Sequence, residues 1–444
     1  MVSLFQKLIS KNKLVICLCV VFVLIVNPIS WVLFFDFDGH LGLSNIIFLL
    51  ILDSLIIAFI ILIYHVQNLY VTIKIFLFNL LLIFIGLIIF DLIFGDWFRK
   101  NTIRNLWIPS NTIYKIDLKN LYENDTKYII TKIDQYGFRG EYNSAADIDI
   151  LTVGGSTTKQ DYVEDGYTWQ DIISKNFQSH NKQISVVNAG IDGQSTFGHI
   201  NNFQNWFPLI PNLRPKYILF YIGINDFYRN AFDGYDNFDL NKRKTNLFEK
   251  FKRKSVFAKI HRTYRGNYLA NAYGLNHDLN YSLDTSSWTS VPLLKSIDYD
   301  RLMTTDLNSY EGRLKTLSIL AEEIGAIPIF VTQTTRRFYF DGITIKGEKS
   351  ADILHKTIDD GLKYNYNGVQ YNGVDFYYML NMLNKTTMRF AKNNDYIAID
   401  LAKDLIEEFD IYEDYYDAVH NTPSGAKKIG DYLFQRLKHL FLES

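Results

Sequence analysis

Cysteine is nearly absent from this sequence, which has 444 residues and only 2 cysteines. Both of them, Cys17 and Cys19, lie near the N-terminus, so the rest of the chain has no thiol and needs no disulfide. No Cys or Cys/His spacing typical of zinc sites is present. The formal net charge is -1 at pH 7, and a charge so close to zero gives no overall attraction to nucleic acid. These absences argue against zinc-dependent and nucleic-acid-binding functions.

Charged residues are also scarce in three apolar runs near the N-terminus, each about 20 residues long, which is enough to cross a bilayer. The runs are Leu14 to Phe35, Leu43 to Tyr64 and Val71 to Phe94. A cleaved signal peptide followed by a buried helical core is the alternative, but the first run is too long for a signal peptide and lacks a small-residue cleavage site. The sequence therefore predicts an N-terminal membrane domain, residues 1–95, with three transmembrane helices.

Basic residues indicate the orientation of these helices. Lys7, Lys11 and Lys13 precede the first run, whereas the first loop holds Asp36 and Asp38 and no Lys or Arg. Because cytoplasmic loops are enriched in Lys and Arg, the N-terminus is expected inside. Three spans then place the following domain on the extracytoplasmic side, although three basic residues between 99 and 104 favour the opposite orientation.

Apolar runs and helical patterns alternate in the rest of the chain, after a polar connector at residues 96–147 in which Trp97 and Trp107 are placed as interfacial aromatics. The apolar runs lie at 148–155, 184–190, 216–223, 327–333 and 395–401, and amphipathic segments lie near 166–177, 195–207, 307–324, 374–392 and 423–441. This alternation predicts a three-layer α/β/α domain at 148–444 with a parallel five-stranded sheet.

Two insertions, at about 228–305 and 334–373, are much longer than ordinary α/β connections and are expected to shape a substrate site. The first carries a basic amphipathic stretch at 242–265, which either packs its apolar side on the domain or docks on anionic lipid. The second is rich in Tyr and Phe, which either stack on sugar rings or pack in the core.

The apolar run "DILTV" ends at Gly154 and Gly155, directly before Ser156. A strand that ends in this way exposes the serine hydroxyl and its backbone N–H at the carboxyl edge of the sheet, where α/β folds bind ligands. The stretch has neither the spacing of a phosphate-binding loop nor the second glycine of a G-x-S-x-G elbow. Ser156 is therefore a candidate nucleophile that belongs neither to a phosphate-binding loop nor to a G-x-S-x-G elbow.

A serine nucleophile needs a base and a group that orients the base. The stretch "DAVHNTPSG" supplies Asp417 and His420, three residues apart, before the last helix. A tetrahedral oxyanion also needs preorganised donors. The backbone N–H of Gly193 in "NAGIDG", the side-chain amide of Asn225 in "GIND" and the Ser156 amide are the candidates. These residues predict a serine-dependent acyl-transfer site.

The same four blocks, in the same order, make residues 136 to 441 resemble the SGNH, or GDSL-type, hydrolases. "YGFRG" and the "GGSTT" form of the serine block resemble the extracytoplasmic branch, in which a membrane anchor carries the domain. The resemblance implies a flavodoxin-like fold, with Ser156 as nucleophile, His420 as base and acid, and Asp417 as its orienter. It further implies an oxyanion hole formed by Ser156, Gly193 and Asn225. The serine block departs from the family pattern in having Gly155 before Ser156.

The resemblance implies ester-directed acyl transfer through an acyl-serine. Together with the membrane anchor, the aromatic insertions and the basic stretch, it predicts a membrane-anchored esterase that removes O-acyl groups from a cell-envelope glycan or lipid. Two alternatives remain open: an O-acyltransferase that modifies an extracytoplasmic polysaccharide, and a catalytically silent module that binds a partner of an envelope-assembly pathway. No metal or organic cofactor is expected. Carboxylates clustered between Glu407 and Asp417 are expected to raise the pKa of His420.

Overall fold

The computed structural model describes residues 69–95, 97–98, 103–106, 108–118, 121–122, 128–231, 288–349 and 365–442, together with Ser54 and scattered residues between 251 and 264. The chain divides into two compact units, Met1–Phe94 and Gly95–Ser444. The first contains helix α1, Leu69–Phe94. Its segment Leu77–Phe94 has a mean hydropathy of 2.7 and is long and apolar enough to cross a membrane. Apart from Ser54, the two earlier apolar runs lie outside the described residues, so the three membrane helices remain a prediction.

The predicted connector contains folded structure. A short 3-10 helix, Ile103–Leu106, precedes an antiparallel hairpin of β1, Thr112–Asp117, and β2, Tyr128–Ile133. On the buried side of the hairpin, Ile129 clusters with Leu118, Leu121 and Tyr416. The connector is therefore more than a polar tether, because part of it packs on the loop that carries the candidate acid–base residues.

A parallel sheet of five strands forms the centre of the second unit, as predicted. Its strands are β3 (Ile150–Gly154), β4 (Val186–Asn188), β5 (Tyr217–Tyr221), β7 (Ile327–Val331) and β12 (Ile397–Ile399), in the spatial order β12-β7-β5-β3-β4. Every residue of β3 is buried. Continuous apolar strands of this kind form because both faces of a parallel sheet are covered by helices.

Helices cover the sheet on both sides. They are α2 (Ser156–Lys159), α3 (Trp169–Ser179), α4 (Thr196–Asn205), α5 (Ile224–Ala231), α6 (Ser296–Glu323), α7 (Gly373–Asn393), α8 (Leu401–Asp404), α9 (Pro423–Leu437) and α10 (His439–Leu442). Alternate strand residues point to opposite faces. Thus Leu151 packs in the cluster with α4, α6 and α7, and its neighbour Ile150 packs in the cluster with α3 and α9. The three-layer α/β/α architecture is confirmed.

The first insertion differs from its predicted bounds. It begins after α5, which extends to Ala231, and ends before α6, which begins at Ser296. Short strands of both insertions, β6 (Trp288–Thr289), β8 (Phe338–Phe340) and β9 (Ile345–Glu348), pair as an antiparallel sheet in the order β6-β9-β8. Two further strands, β10 (Asn365–Tyr366) and β11 (Val369–Gln370), form a hairpin.

The aromatic residues of the second insertion pack mainly into the core. Tyr366 and Tyr371 are buried, and their ring centroids lie 4.9 and 5.5 Å from that of Phe227. These two rings are therefore occupied by protein packing and not by sugar stacking. The basic stretch at 242–265 lies largely outside the described residues.

Candidate active site

Ser156 lies at the first turn after β3, with its side chain half-buried at the carboxyl edge of the sheet. Position 154, the last residue of β3, requires glycine, because a Cβ there would lie 2.5 Å from the Tyr221 carbonyl oxygen. Ser156 is also the first residue of the short helix α2, where backbone N–H groups have no acceptor within the helix. The local sequence thus presents a hydroxyl and a backbone donor together.

His420 and Asp417 meet Ser156 at this edge, although 264 residues separate the serine from the histidine. The Nε2 atom of His420 lies 2.7 Å from Ser156 Oγ, and Nδ1 lies 2.7 Å from Asp417 Oδ2. The second carboxylate oxygen of Asp417 accepts the backbone N–H groups of Val419 and His420 at 2.8 and 2.7 Å. Asp417 is thereby fixed so that Nδ1 donates to it, which leaves Nε2 to accept the serine proton.

The loop that carries His420 is held on two sides. Tyr416 stacks on the imidazole with ring centroids 5.6 Å apart and an interplanar angle of 10°. The carbonyl oxygen of Ala418 accepts the Thr335 hydroxyl at 2.5 Å and the Arg336 backbone N–H at 3.2 Å. The His420 side chain remains 17% exposed, so the base is oriented by packing and still reachable by solvent.

The predicted oxyanion donors lie around Ser156. The Asn225 Nδ2 atom donates to the Gln194 carbonyl oxygen at 2.9 Å, and its amide carries a second hydrogen. A Cβ on Gly155 would lie 2.1 Å from Nδ2, so the Asn225 amide packs directly against the residue before the serine. Gly193 has a φ of +68°, a conformation that other residues rarely adopt. The structure therefore brings Ser156 and Asn225 together and places the Gly193 loop beside them through Gln194.

Sequence reasoning missed the buried groups that fasten these loops. Gln333, two residues after the end of β7, donates to the Thr157 hydroxyl at 2.9 Å and accepts the Ile224 backbone N–H at 2.8 Å. It therefore connects the serine helix with the "GIND" block. The buried pair of Arg313 and Asp226, 3.0 Å apart, connects the "GIND" block with the helix α4. The sequence signals of these contacts are weak: Gln333 lies two residues after an apolar run, and Asp226 lies in the "GIND" block.

Arg139 of the "YGFRG" motif fastens the loop that follows Ser156. Its guanidinium lies 2.6 Å from the Asp165 carboxylate and donates to the carbonyl oxygens of Lys159 and Gln160 at 3.0 and 2.8 Å, and to that of Val163. The side chain is 5% exposed. The sequence placed this motif in the family pattern without indicating that it supports the nucleophile loop.

Carboxylates determine the electrostatics around His420. Burial by itself lowers the pKa of His420, but Asp417, Asp192 and Asp161 together raise it above 6.5. The pKa of His420 is raised, as expected. Of the three carboxylates that raise it, only Asp417 belongs to the predicted cluster. Asp414 is instead buried in an ion pair with Lys428, and Glu407, Glu408, Asp410 and Glu413 are exposed. Among the described residues, no group of three or more His, Cys, Asp or Glu side chains is arranged to bind a metal ion.

Comparison with known proteins finds a family match for part of this domain. Residues 150–271 match the model of the GDSL-like lipase/acylhydrolase family. This segment contains Ser156, Gly193 and Asn225, whereas Asp417 and His420 lie beyond it. No sequence among the curated proteins matches the chain.

Solved structures similar to part of this chain include two lipolytic proteins of the G-D-S-L family. The protein from Veillonella parvula is 14% identical, with a TM-score of 0.35, 67% of this chain covered and 100% of the other. The protein from Desulfitobacterium hafniense is 13% identical, with a TM-score of 0.33 and coverages of 65% and 99%.

A third similar structure is a catalytic mutant of an acetylxylan esterase from Geobacillus stearothermophilus. It is 12% identical, with a TM-score of 0.35 and coverages of 66% and 94%. At these identities and TM-scores no substrate is transferred from the neighbours, so the assignment rests on the family model and the geometry of the site.

Proposed function

We propose that this chain, whose residues 150–271 match the model of the GDSL-like lipase/acylhydrolase family, is a serine esterase in which Ser156 forms an acyl-serine intermediate. The observation that carries the proposal is the continuous contact from Asp417 through His420 to Ser156, at 2.7 Å for each side-chain link. The family model ends before the histidine, so this contact is independent support for the same chemistry.

The proposed reaction begins with attack by Ser156 Oγ on the ester carbonyl carbon while His420 Nε2 takes the hydroxyl proton. Negative charge develops on the carbonyl oxygen, next to the N–H groups of Ser156 and Gly193 and the Asn225 amide, which stabilise it. Collapse of this intermediate releases the alcohol, which receives the proton from Nε2. Asp417 stabilises the imidazolium that exists between the two proton transfers.

Water then repeats the sequence on the acyl-serine. His420 removes a proton from water, the hydroxide attacks the acyl carbon, and Ser156 leaves with the proton, which releases a carboxylic acid. The His420 side chain is 17% exposed, so water can reach the base. A sugar hydroxyl in the same position would make the protein an O-acyltransferase instead.

We further propose that the domain is anchored to a membrane and acts on the extracytoplasmic side, on O-acyl groups of an envelope glycan or lipid. Support comes from the apolar helix before the domain, Leu77–Phe94, and from the basic residues that precede the first apolar run. A direct test of the side of the membrane uses a cysteine introduced at exposed Ser179, which should be labelled by an impermeant maleimide in intact cells.

A fluorophosphonate probe tests the proposed nucleophile. The full chain in detergent should be labelled at Ser156, as located by peptide mass spectrometry, and should hydrolyse p-nitrophenyl acetate. Ser156→Ala should abolish both signals, whereas Ser179→Ala, at an exposed helix position, should keep them. Labelling without turnover would favour the acyltransferase. Folded wild-type protein that is not labelled would favour the silent binding module.

A further inference from the structure

Lys159 joins the serine helix to the loop that carries the candidate oxyanion residue Gly193. It lies at the end of α2, three positions after Ser156. Its Nζ atom lies 2.6 Å from Asp161 Oδ2 and 2.7 Å from Asp192 Oδ2. The Lys159 side chain is only 16% exposed, whereas that of Asp192 is 53% exposed. One ammonium group thus bridges two carboxylates next to the candidate active site.

The backbone of Lys159 is fixed against the same loop. Its carbonyl oxygen accepts Arg139 Nη1 and Asn188 Nδ2 at 3.0 and 3.2 Å. A Cβ on Gly190 would lie 2.4 Å from the Lys159 backbone nitrogen, so the two backbones are in direct contact. Asp192 immediately precedes Gly193. The ion pair of Lys159 with Asp192 therefore links the helix that begins at Ser156 to the residue before Gly193.

We propose that Lys159 is a positioning residue of the acyl-transfer site: through Asp192 its ammonium group holds the Gly193 amide beside Ser156, and it neutralises carboxylate charge around His420. This inference rests on the proposed function, because it assigns a role in the same acyl transfer. Lys159 itself need not contact the substrate.

The charges around His420 give the proposal a measurable consequence. Asp417 faces the imidazole from its own loop, Asp161 from the segment after α2, and Asp192 from the loop before Gly193. Lys159 is the cation bound to the last two. Burial lowers the pKa of Lys159, but Asp192 and Asp161 raise it overall, so the ammonium stays charged at neutral pH.

Other charged or titratable groups near this loop are Tyr162 and Tyr416, and on the β7 side Tyr228 with Arg337 and Glu348 behind it. The pKa values of all three tyrosines are raised by burial first of all, so they are neutral in the range of interest. Arg337 and Glu348 have opposite charges 3.9 Å apart.

Removal of Lys159 and removal of Asp192 should therefore act in opposite directions on His420. Lys159→Met removes the one positive charge beside Asp161 and Asp192, so more of their negative charge acts on the imidazole, which raises the pH at which the base becomes neutral. Asp192→Asn removes one of those carboxylates and lowers that pH. One charge several ångströms away in a partly hydrated site corresponds to a shift of roughly half a pH unit.

The test is the pH dependence of fluorophosphonate labelling rates, measured on the full chain in detergent. We expect Lys159→Met to label about tenfold more slowly, with its midpoint moved upward, and Asp192→Asn to have its midpoint moved downward. Lys159→Arg, which keeps the charge, should restore the wild-type midpoint. Lys216→Met is the matched control, because it removes a cation that pairs with Asp149 at 2.7 Å at the opposite edge of the sheet, and it should leave the profile unchanged.

Three outcomes would overturn the inference or its premise. Identical midpoints in the wild type, Lys159→Met and Asp192→Asn, accompanied only by changes in melting temperature, would make the bridge merely structural. If Lys159→Met does not fold, an unshifted midpoint in Asp192→Asn is sufficient to reject the inference. Wild-type protein that is not labelled at any pH would instead refute the proposed function itself, and the inference with it.

Discussion

Gly155→Ala isolates the contact between the serine turn and the Asn225 amide. The added Cβ would lie 2.1 Å from Asn225 Nδ2 and 3.4 Å from the Gln194 carbonyl oxygen, so the amide must move. The φ of Gly155 is -84°, so a left-handed backbone conformation is not the obstacle. Since the amide is a proposed oxyanion donor, its displacement should lower kcat about 10²–10³-fold, the usual effect of losing one such donor.

The stability change should be small by comparison. Overpacking of this kind costs about 1–3 kcal/mol, which a folded domain of this size should tolerate. The control is Gly312→Ala in α6, where an added Cβ meets no atom within 4 Å. That substitution should keep kcat and stabilise the helix by about 1 kcal/mol. Circular dichroism melting and p-nitrophenyl acetate hydrolysis would be measured on both variants.

A double-mutant cycle shows whether the loss of rate acts through Asn225. Asn225→Ala removes the donor and also the atom with which the new methyl group collides. Gly155→Ala combined with Asn225→Ala should therefore be no slower than Asn225→Ala alone, because the two residues are in contact and their effects are not additive. Full activity of Gly155→Ala, or additive losses in the double variant, would refute this reasoning.

Three further substitutions test other parts of the site. Asp417→Asn should lower kcat about 10³–10⁴-fold with normal folding, because the imidazole loses its orienting carboxylate; a loss below tenfold in the esterase assay would contradict that role. Arg139→Met should cost about 3–5 kcal/mol in the free energy of unfolding, because it leaves the buried carbonyl oxygens of Gln160 and Val163 without their donor; an unchanged urea midpoint would argue against it. Asp226→Asn should destabilise by a similar amount by leaving Arg313 buried without a counter-charge, and hydrogen exchange should show the change first in α4 and α5.

The sheet and the candidate site residues were predictable because each depends on a strong local signal. The strands are short, uninterrupted apolar runs that fit a sheet covered on both faces. Recognisable sequence blocks contain Ser156, Asn225 and His420, and the carboxyl edge of the sheet brings these blocks together. The positions of these side chains therefore follow from topology once the strands are assigned.

The remaining features depend on contacts between distant segments. The antiparallel sheet of β6, β8 and β9 joins both insertions, and strands of two to four residues show no detectable periodicity. The carboxylates that raise the pKa of His420 could not be predicted for the same reason. Exposed Glu407 and Glu408 are near it in sequence, whereas Asp161 and Asp192 are near it in space.

The central claim, an acyl-serine at Ser156 formed with the help of His420, is tested most directly by trapping the intermediate. Full-length protein would be mixed with p-nitrophenyl acetate, quenched in acid during turnover and digested for peptide mass spectrometry. We predict an acetyl group on the peptide that contains Ser156, and none in His420→Ala quenched at the same time. Turnover with no acetyl group on Ser156, or undiminished turnover by Ser156→Ala, would contradict the account.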